Sequence, residues 1–386
     1  MSNTLTGLIP TLYNALDQVS RELIGFIPNV NADSTADMAA INQTVRSPIV
    51  PQGSLEDIVA GDRPADSGDQ TIGYQDVTIT KSKAYPIRWT GEEQLSVTAN
   101  GVVNTILADQ FAQGLRTLTN AIEADLGAQY AAMSRAYGTA GTTPFATAND
   151  LSDLAEANRI LDDNGAPQVG RVMIVGSAAR AKLEGKHSEL FKVNEAGDAG
   201  ELLRQRQMRQ LMGFGMGYSA GVASHVKGTA TGALVNGALS AGATEIVFDG
   251  ATAGATGIKA GDVITFAADT ANKYIVKTGA TGATGTITIQ GPGLLTDIPD
   301  NNAITIGANF TGNMFYQRNA LLLATRQPAM PEGGDEAEDV TTITDPVSGL
   351  TFQVALYKQY RRVKYEIGMA WGTAAPNGKH GGVLLG

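Results

Sequence analysis

The apolar residues between positions 100 and 138 follow a spacing that an α-helix satisfies. They recur every three or four residues without a break, at Val103, Leu107, Phe111, Leu115, Leu118, Ile122, Leu126, Tyr130, Met133 and Tyr137. This spacing places all of them on one face of a helix. The opposite face carries polar residues, among them Arg116, Asn120 and Glu123. The pattern predicts one unbroken amphipathic helix, about 50 Å long, along which the rest of the chain packs.

The composition bounds the class of protein. The chain has 386 residues, of which 43% are hydrophobic, enough for two or three domains with a sizeable core. Its formal net charge is −10, which argues against sequence-specific nucleic-acid binding as its main task. It contains no cysteine, so disulfides, thiolate metal sites and cysteine nucleophiles are excluded.

Export, membrane and metal signals are missing from the sequence. No basic stretch precedes the first apolar residues, so a secretory signal is not expected. The longest strongly apolar run, around 320–324, is far shorter than the roughly 18 residues of a membrane span. The three histidines, His187, His225 and His380, have no paired spacing. We therefore expect a soluble protein used without export, with no membrane partner, metal or cofactor.

The chain before the long helix changes character twice. Apolar residues three and four apart predict a short helix over residues 7–27, which ends at Pro28. Residues 28–75 have little periodicity, so they form either a disordered arm or an extended arm and loop that orders against a neighbouring subunit. Residues 77–89 alternate as a strand whose middle is polar on both faces. This strand predicts a ribbon that projects from the body of the protein.

The chain after the long helix alternates between helices and strands. A capped amphipathic helix is predicted between 147 and 165, a buried strand at 171–176, a helix from Ser177 to near Gly185, and a helix over 200–212. Between 224 and 306 the composition shifts to Thr, Ala, Gly and Val. Short strands there predict a separate small β barrel or sandwich, at 244–248, 262–266, 274–277 and 286–290.

The last eighty residues again have the mixed helix and strand patterns seen before the β-rich region. Residues 313–326 fit either a helix or a buried strand. Alternating apolar residues predict two sheet strands, at 350–356 and 365–371, joined through the basic segment 358–364. The segment from Gly372 onward is interpreted as a glycine-rich tail.

Two glycine motifs overlap near position 217, and neither has the context that its chemistry needs. Gly215-x-Gly217-x-x-Ala220 matches a dinucleotide fingerprint, which requires a strand before it and a helix after it. Gly217-Tyr218-Ser219-Ala220-Gly221 matches the nucleophile elbow of hydrolases, which requires a helix directly after Ser219. The sequence predicts a helix before these motifs and β structure after them. A hydrolase that uses Ser219 stays as an alternative from another functional class.

Two clusters of charge are candidates for ion contacts. Five carboxylates could hold a cation, although their spacing does not match an EF-hand: Glu332, Asp335, Glu336, Glu338 and Asp339. Arg361, Arg362 and Lys364 beside Tyr360 and Tyr365 could contact phosphate. Both clusters are more typical of solvated surface, so no catalytic, cofactor-binding or metal residue is assigned.

The order of these elements resembles the major capsid protein of tailed phages, the Hong Kong phage fold. The β-rich region is similar in style to the inserted domain of P-twenty-two-type coat proteins, in IKAGDVITFA (258–267), KYIVKT (273–278) and TITIQGPG (286–293). The stretches TDPVSGLTFQVALY (344–357) and KYEIGMAWGTAAPNG (364–378) are similar to the closing sheet of such proteins. The resemblance covers nearly the whole chain.

The resemblance implies an α+β fold with an inserted small β barrel and six segments. These are an N-terminal arm and helix (1–42), an E-loop and ribbon (43–99), the spine helix and P domain (100–150), the first part of the A domain (151–223), the inserted β domain (224–308) and the closing A/P segment (309–386). Some relatives crosslink a ribbon lysine to an asparagine. Lys81 and Lys83 lie on the ribbon, but the asparagine and catalytic glutamate have no match, so this chemistry is not transferred.

The resemblance also implies a structural, non-enzymatic function. The chain would assemble with itself into hexamers and pentamers of an icosahedral shell around double-stranded phage DNA, which it would contact without base recognition. Scaffolding and portal proteins are the other expected partners, and the virion, assembled in the host cytoplasm, is the expected location. An encapsulin-like protein compartment is the alternative within the same fold, and the inserted domain argues against it.

Overall fold

The computed structural model describes residues 25–49, 72–98, 103–187, 210–252, 256–344 and 350–386. Strands dominate the described chain, and its α-helices are α1 (Gly91–Thr98), α2 (Val103–Gly127), α3 (Ser152–Asp163) and α4 (Ser177–Lys186). Short 3₁₀ turns lie at Ile27–Asn29, Ala128–Ala132, Arg318–Ala320 and Gly378–His380.

Four of the first eight strands precede the helices, and the other four lie after α2. They are β1 (Asn31–Ala39), β2 (Thr44–Ile49), β3 (Gly73–Thr78), β4 (Lys81–Thr90), β5 (Arg135–Tyr137), β6 (Arg171–Val175), β7 (Gln210–Leu211) and β8 (Phe214–Tyr218).

Strands follow one another through the rest of the described chain. They are β9 (Ser224–His225), β10 (Leu234–Val235), β11 (Glu245–Asp249), β12 (Val263–Phe266), β13 (Asp269–Thr278), β14 (Gly285–Ile289), β15 (Ile304–Ile306), β16 (Phe310–Gln317), β17 (Leu322–Pro328), β18 (Asp339–Thr344), β19 (Thr351–Gln359), β20 (Arg362–Ala374) and β21 (Gly381–Leu385).

Strand β20 is the centre of a six-stranded sheet. All of strand β4 pairs with β20, from Thr90 opposite Arg362 to Lys81 opposite Trp371. On its other edge β20 pairs first with β19 and then with β17, and the sheet continues to β18 beyond β19 and to β1 beyond β17. Only the pairing of β1 with β17 is parallel. This sheet therefore joins chain segments that lie more than 300 residues apart.

The long helix α2 packs on one face of this sheet. Ile87 and Trp89 of β4 and Ile106 of α2 form a buried cluster with Phe111 and Tyr365 against it. At the other end of the contact, Asp125 of α2 accepts hydrogen bonds from Lys81 Nζ at 2.5 Å and from Trp371 Nε1 at 2.8 Å. An apolar cluster and a partly buried polar contact thus hold the helix against β4 and β20.

A second sheet of 13 strands forms the other half of the molecule. Its central part runs β5, β21, β16, β6 and β8, and helices α3 and α4 share a core with it. Strand β21 is buried along its whole length between β5 and β16. The same sheet continues through β13 into β14, β11 and β10, and β12 joins β13 to β15. Strands β10 to β15 enclose a hydrophobic core of their own, which includes Phe248, Phe266 and Ile287.

Several secondary-structure predictions are confirmed. The predicted helices at 147–165 and from Ser177 appear as α3 and α4, and the predicted buried strand appears as β6. The four strands predicted between 244 and 290 appear as β11, β12, β13 and β14. The undecided segment 313–326 belongs to β16 and β17, which a 3₁₀ turn separates. The strands predicted at 350–356 and 365–371 are the longer β19 and β20, which extend through the basic segment to a tight turn.

The prediction of one unbroken helix over 100–138 is wrong at its C-terminal end. Helix α2 ends at Gly127, a 3₁₀ turn follows, and residues 135–137 form β5. The apolar stripe continues because Tyr130 and Met133 pack inward from the turn. Side chains three residues apart lie on one face of a 3₁₀ turn as well, so the spacing does not distinguish the two helices.

The projecting ribbon is also corrected. Residues 77–89 are not one strand, because β3 ends at Thr78 and β4 starts at Lys81, and β4 lies in the main sheet. The two-stranded ribbon is instead β2 with β3, which pair in antiparallel register from Thr44 opposite Thr78 to Ile49 opposite Gly73.

The predicted N-terminal segments lie partly outside the described residues. Most of the helix predicted at 7–27, residues 50–71 of the predicted arm, and residues 200–209 of another predicted helix are not described. Where the arm is described, Phe26 and Val30 are buried in the core and β1 pairs with the chain's own β17. The glycine-rich tail is likewise not a tail, because β20 continues to Ala374 and β21 follows it.

Gly127 allows α2 to touch the loop after β8. A Cβ atom at Gly127 would lie 2.0 Å from the carbonyl oxygen of Gly221, a backbone atom that cannot rotate away. We predict that Gly127→Ala lowers the free energy of unfolding by about 1–3 kcal/mol, because overpacking outweighs the better helix propensity of alanine.

The matched control is Gly185→Ala, also within a helix but with no atom within 4 Å of the new Cβ. That variant should be neutral or up to about 1 kcal/mol more stable. Urea unfolding of the two purified variants measures both changes, and equal midpoints for the two variants would contradict the predicted contact.

Candidate functional site

A buried carboxylate ties three distant parts of the chain together. Glu123 of α2 is 1% exposed. Its Oε1 accepts from the backbone N–H groups of Phe26 at 2.9 Å and Ile27 at 3.0 Å. Its Oε2 accepts from the Ser219 hydroxyl at 2.8 Å and again from Phe26 N at 3.0 Å. The long helix, the N-terminal segment and the loop after β8 therefore meet at one side chain, and we call this cluster the Glu123 junction.

Sequence reasoning placed Glu123 on the polar face of the helix, and this is wrong. Thr119, Glu123 and Gly127 are all buried and four residues apart, so they form a second buried stripe beside the apolar one. Burial raises the pKa of the Glu123 carboxyl, and the hydrogen bonds from Ile27, Phe26 and Ser219 oppose that rise. Gly127, four residues after Glu123, was the one sequence signal on this stripe that the helix approaches another backbone closely.

Ser219 serves the junction and lacks the partners of a hydrolytic nucleophile. Its hydroxyl donates to Glu123 and accepts from Gly221 N at 3.0 Å, and the residue is 3% exposed. A turn follows β8 where the nucleophile elbow needs a helix. Ser219, Ser177 and Asn313 line an open cleft of 510 Å³, but the only hydrogen bonds that involve the described Ser219 hydroxyl are these two.

The described histidine nearest in sequence, His225, belongs to a separate cluster. Its Nδ1 lies 2.7 Å from the Tyr130 hydroxyl and its Nε2 lies 2.7 Å from Asp262 Oδ1. Asp262 also accepts from the backbone N–H groups of Gly228 and Lys259, at 2.9 and 2.7 Å. Burial raises the pKa of the Tyr130 hydroxyl, which keeps it protonated. This cluster joins the end of the long helix to the β-rich unit.

The dinucleotide motif also serves a structural purpose. Gly215 and Gly217 lie within β8, which pairs with β6 and β7, and no helix follows them. A Cβ atom at Gly217 would lie 2.4 Å from the Ile174 side chain. Close packing of β8 on its neighbours explains this glycine, so the described geometry does not form a pyrophosphate cradle.

The five carboxylates at 332–339 form a partly anchored surface loop. The Tyr357 hydroxyl donates to Asp335 at 2.5 Å and lowers the pKa of that carboxyl, while the pKa of Tyr357 rises to about 12. Lys358 forms an ion pair with Glu338. Within the ranges that the structure describes, no cluster of three His, Asp or Glu side chains is arranged to hold a metal ion.

The basic segment lies at a hairpin turn, and the two lysines that were predicted to lie on the ribbon, Lys81 and Lys83, belong to β4 of the main sheet. Arg361 is in the turn between β19 and β20, and Arg362 and Lys364 follow in β20. Lys364 pairs with Glu366. Lys81 is bound to Asp125, whereas Lys83 is exposed on β4. Among the helices described, none combines the length and hydropathy needed to cross a bilayer.

Comparison with known proteins identifies the fold. The sequence matches no known family of proteins and no characterised protein. Its structure matches the capsid structure of cyanophage P-SCSP1u over 95% of this chain and 89% of that chain, with a TM-score of 0.50 and 10% sequence identity. The chain therefore has the mixed α+β fold of a phage capsid protein.

Two other structures match more loosely. That of Mycobacterium phage Che8 has a TM-score of 0.49 and 12% identity over 95% of this chain and 92% of that chain. The capsid of Ralstonia phage GP4 has a TM-score of 0.47 and 10% identity over the same shares of the two chains.

Replacing Glu123 by Gln tests the junction. Gln keeps the size but offers one acceptor oxygen to the donors, so we expect the free energy of unfolding to fall by about 1–3 kcal/mol at neutral pH. Because the folded-state pKa of Glu123 is raised, its protonation stabilises the fold fully below about pH 4.3, and this contribution disappears as pH rises through the raised pKa. The gap between wild type and Glu123→Gln should therefore widen toward acid pH.

Urea unfolding of the purified wild-type and variant proteins at several pH values measures this gap. Glu92→Gln on α1, at an exposed position, is the control and should stay within about 0.5 kcal/mol of wild type throughout. A Glu123→Gln variant as stable as this control at every pH would show that the junction contributes nothing.

Proposed function

We propose that this protein is the major capsid subunit of a tailed phage, which assembles with itself into an icosahedral shell around double-stranded DNA. The observation that carries the proposal is the fold match to the cyanophage P-SCSP1u capsid across nearly the whole of both chains. A likeness at this identity supports the fold, and the function is inferred from it.

The elements fit the architecture of the Hong Kong phage fold. Helix α2 corresponds to the spine helix, and the sheet of β4 and β20 on which it packs corresponds to the P domain. The β2–β3 ribbon corresponds to the E-loop. The sheet around β6 and β16, with α3 and α4, corresponds to the A domain, and strands β10 to β15 with their separate core correspond to the inserted β barrel.

The exposed features of the chain suit a subunit that is completed by its neighbours. Ile72, directly before the ribbon strand β3, is 53% exposed, Tyr74 on that strand is 61% exposed, and Tyr360 at the β19–β20 turn is 86% exposed. Large apolar and aromatic side chains in such positions are typical of interaction surfaces. Hexamers and pentamers would bury them repeatedly without any new fold.

The proposal includes partners beyond the subunit itself. Tight binding to DNA requires cationic side chains that neutralise its phosphates. A chain of net charge −10 therefore suits a shell that encloses DNA without binding it tightly. Scaffolding and portal proteins would direct closure of the shell in the host cytoplasm, and the finished subunit would reside in the virion. An encapsulin-like compartment is the alternative, and its contents distinguish it: a cargo enzyme instead of DNA.

Electron microscopy with sedimentation tests the proposal. We expect the protein, expressed alone and with its neighbouring genes, to form closed shells or curved sheets hundreds of ångströms across. Shells from co-expression in the phage setting should protect double-stranded DNA from nuclease. A monodisperse monomer or dimer under every condition would refute the capsid function, and a co-purified enzyme inside DNA-free shells would favour the compartment.

A further inference from the structure

Three arginines cluster at the tip of the β4–β20–β19 sheet. Arg362 lies opposite Thr90 in the strand register, and Arg88, two residues before Thr90, lies opposite Lys364. Directly opposed residues share a face of the sheet, so Arg88, Arg362 and Lys364 point to the side away from α2. Arg361 lies beside them in the turn, where its carbonyl accepts from Gly91 N at 3.1 Å. We call Arg88, Arg361 and Arg362 the arginine cluster.

The arginine cluster has no internal counter-charge. All three side chains are exposed, and within the described ranges none forms an ion pair with a carboxylate. The other cations of the same region are already paired: Lys358 with Glu338 and Lys364 with Glu366. Tyr360, 86% exposed, lies next to Arg361. Exposed tyrosine and arginine together are the composition of an interface centre.

The acidic loop 331–338 lies at the same end of the sheet. Its position is set by the Tyr357 hydroxyl on Asp335 and by Glu338 N, which donates to the Leu356 carbonyl at 2.8 Å. Glu332 and Glu336 on this anchored loop are exposed, and in the described structure neither has a cation partner. Among the residues that the structure describes, cations and carboxylates without an ion-pair partner thus lie at the same end of one sheet.

We propose that the arginine cluster of one copy docks on the acidic loop of a second copy of this chain. Copies with a net charge of −10 repel each other, so a place where opposite charges face one another favours their association. Because both patches belong to each copy and lie at one end, copies related by a rotation axis satisfy both at once. This inference rests on the proposed function, since it names one of the contacts that would hold a shell together.

Charge reversal on each side, followed by a charge swap, tests the contact. Arg361→Glu with Arg362→Glu should raise the lowest concentration that forms shells by at least about tenfold, because carboxylates would then face carboxylates. Glu332→Lys with Glu336→Lys should have the same effect with lysines facing arginines. The chain with all four changes should return to within about threefold of wild type, since the pairing is restored with its polarity exchanged.

Lys182→Glu with Lys277→Glu is the matched control. It changes the net charge by the same amount as the arginine reversal, at two exposed lysines on α4 and β13 that have no ion pair within the described residues, and should leave assembly unchanged. Every substituted side chain is exposed, so each variant should fold. Sedimentation velocity of each variant before assembly checks that it is a compact, folded protein. Light scattering against protein concentration then gives the assembly threshold.

The outcomes separate this inference from the proposed function. Reversals that raise the threshold, together with a swap that restores it, support the contact. Reversals that leave the assembly threshold at the value of the control overturn the proposed contact. If the wild-type protein still forms shells in that case, the proposed capsid function is unaffected. Reversals that block assembly without rescue by the swap overturn the acidic loop as the partner. Failure of wild type to assemble under any condition overturns the capsid function and this contact with it.

Discussion

The structure depends on one buried carboxylate. Glu123 sits in the long helix with almost no exposure to water, which costs free energy unless the charge or proton is matched by hydrogen bonds. Its oxygens accept from Phe26, Ile27 and Ser219, so the helix can lie in only one register against two segments about 97 residues away in either direction. Apolar packing alone tolerates sliding, whereas directional hydrogen bonds to a buried group do not.

The glycines around this carboxylate make the contact possible. Gly127 and Gly221 let two backbones approach to a distance that any side chain would prevent. The same close approach places the loop after β8 over α2, which removes Ser219 from the cleft chemistry that its motif suggested. Ser219 lies in a motif typical of hydrolase nucleophiles, yet its hydroxyl forms a structural hydrogen bond. The reason is that a turn follows β8 where the nucleophile elbow of a hydrolase requires a helix.

The two sheets have different structural roles. The sheet around β20 supports α2 on one face and presents charged and aromatic side chains on the other, at the tip where β19 turns into β20. The 13-stranded sheet carries a continuous ladder from β8 to β10, so the β-rich unit is hydrogen-bonded to the body through β5 and β13 and not only tethered by its linkers. The Tyr130–His225–Asp262 cluster adds a second, polar link at the same boundary.

The sequence by itself determined the local elements whose periodicity is strong. The stripe from Val103 predicted α2, and alternation predicted β11 to β14, β19 and β20, because burying one face of an element imposes its period on the chain. The tertiary structure alone decided where these elements end and which polar residues are buried. Glu123 and Asp262 are buried carboxylates whose hydrogen-bond donors include residues far away in sequence, and no local pattern records such partners. The buried strand β21 was missed for the same reason: its glycines are required by neighbours on both edges, which only the assembled sheet brings together.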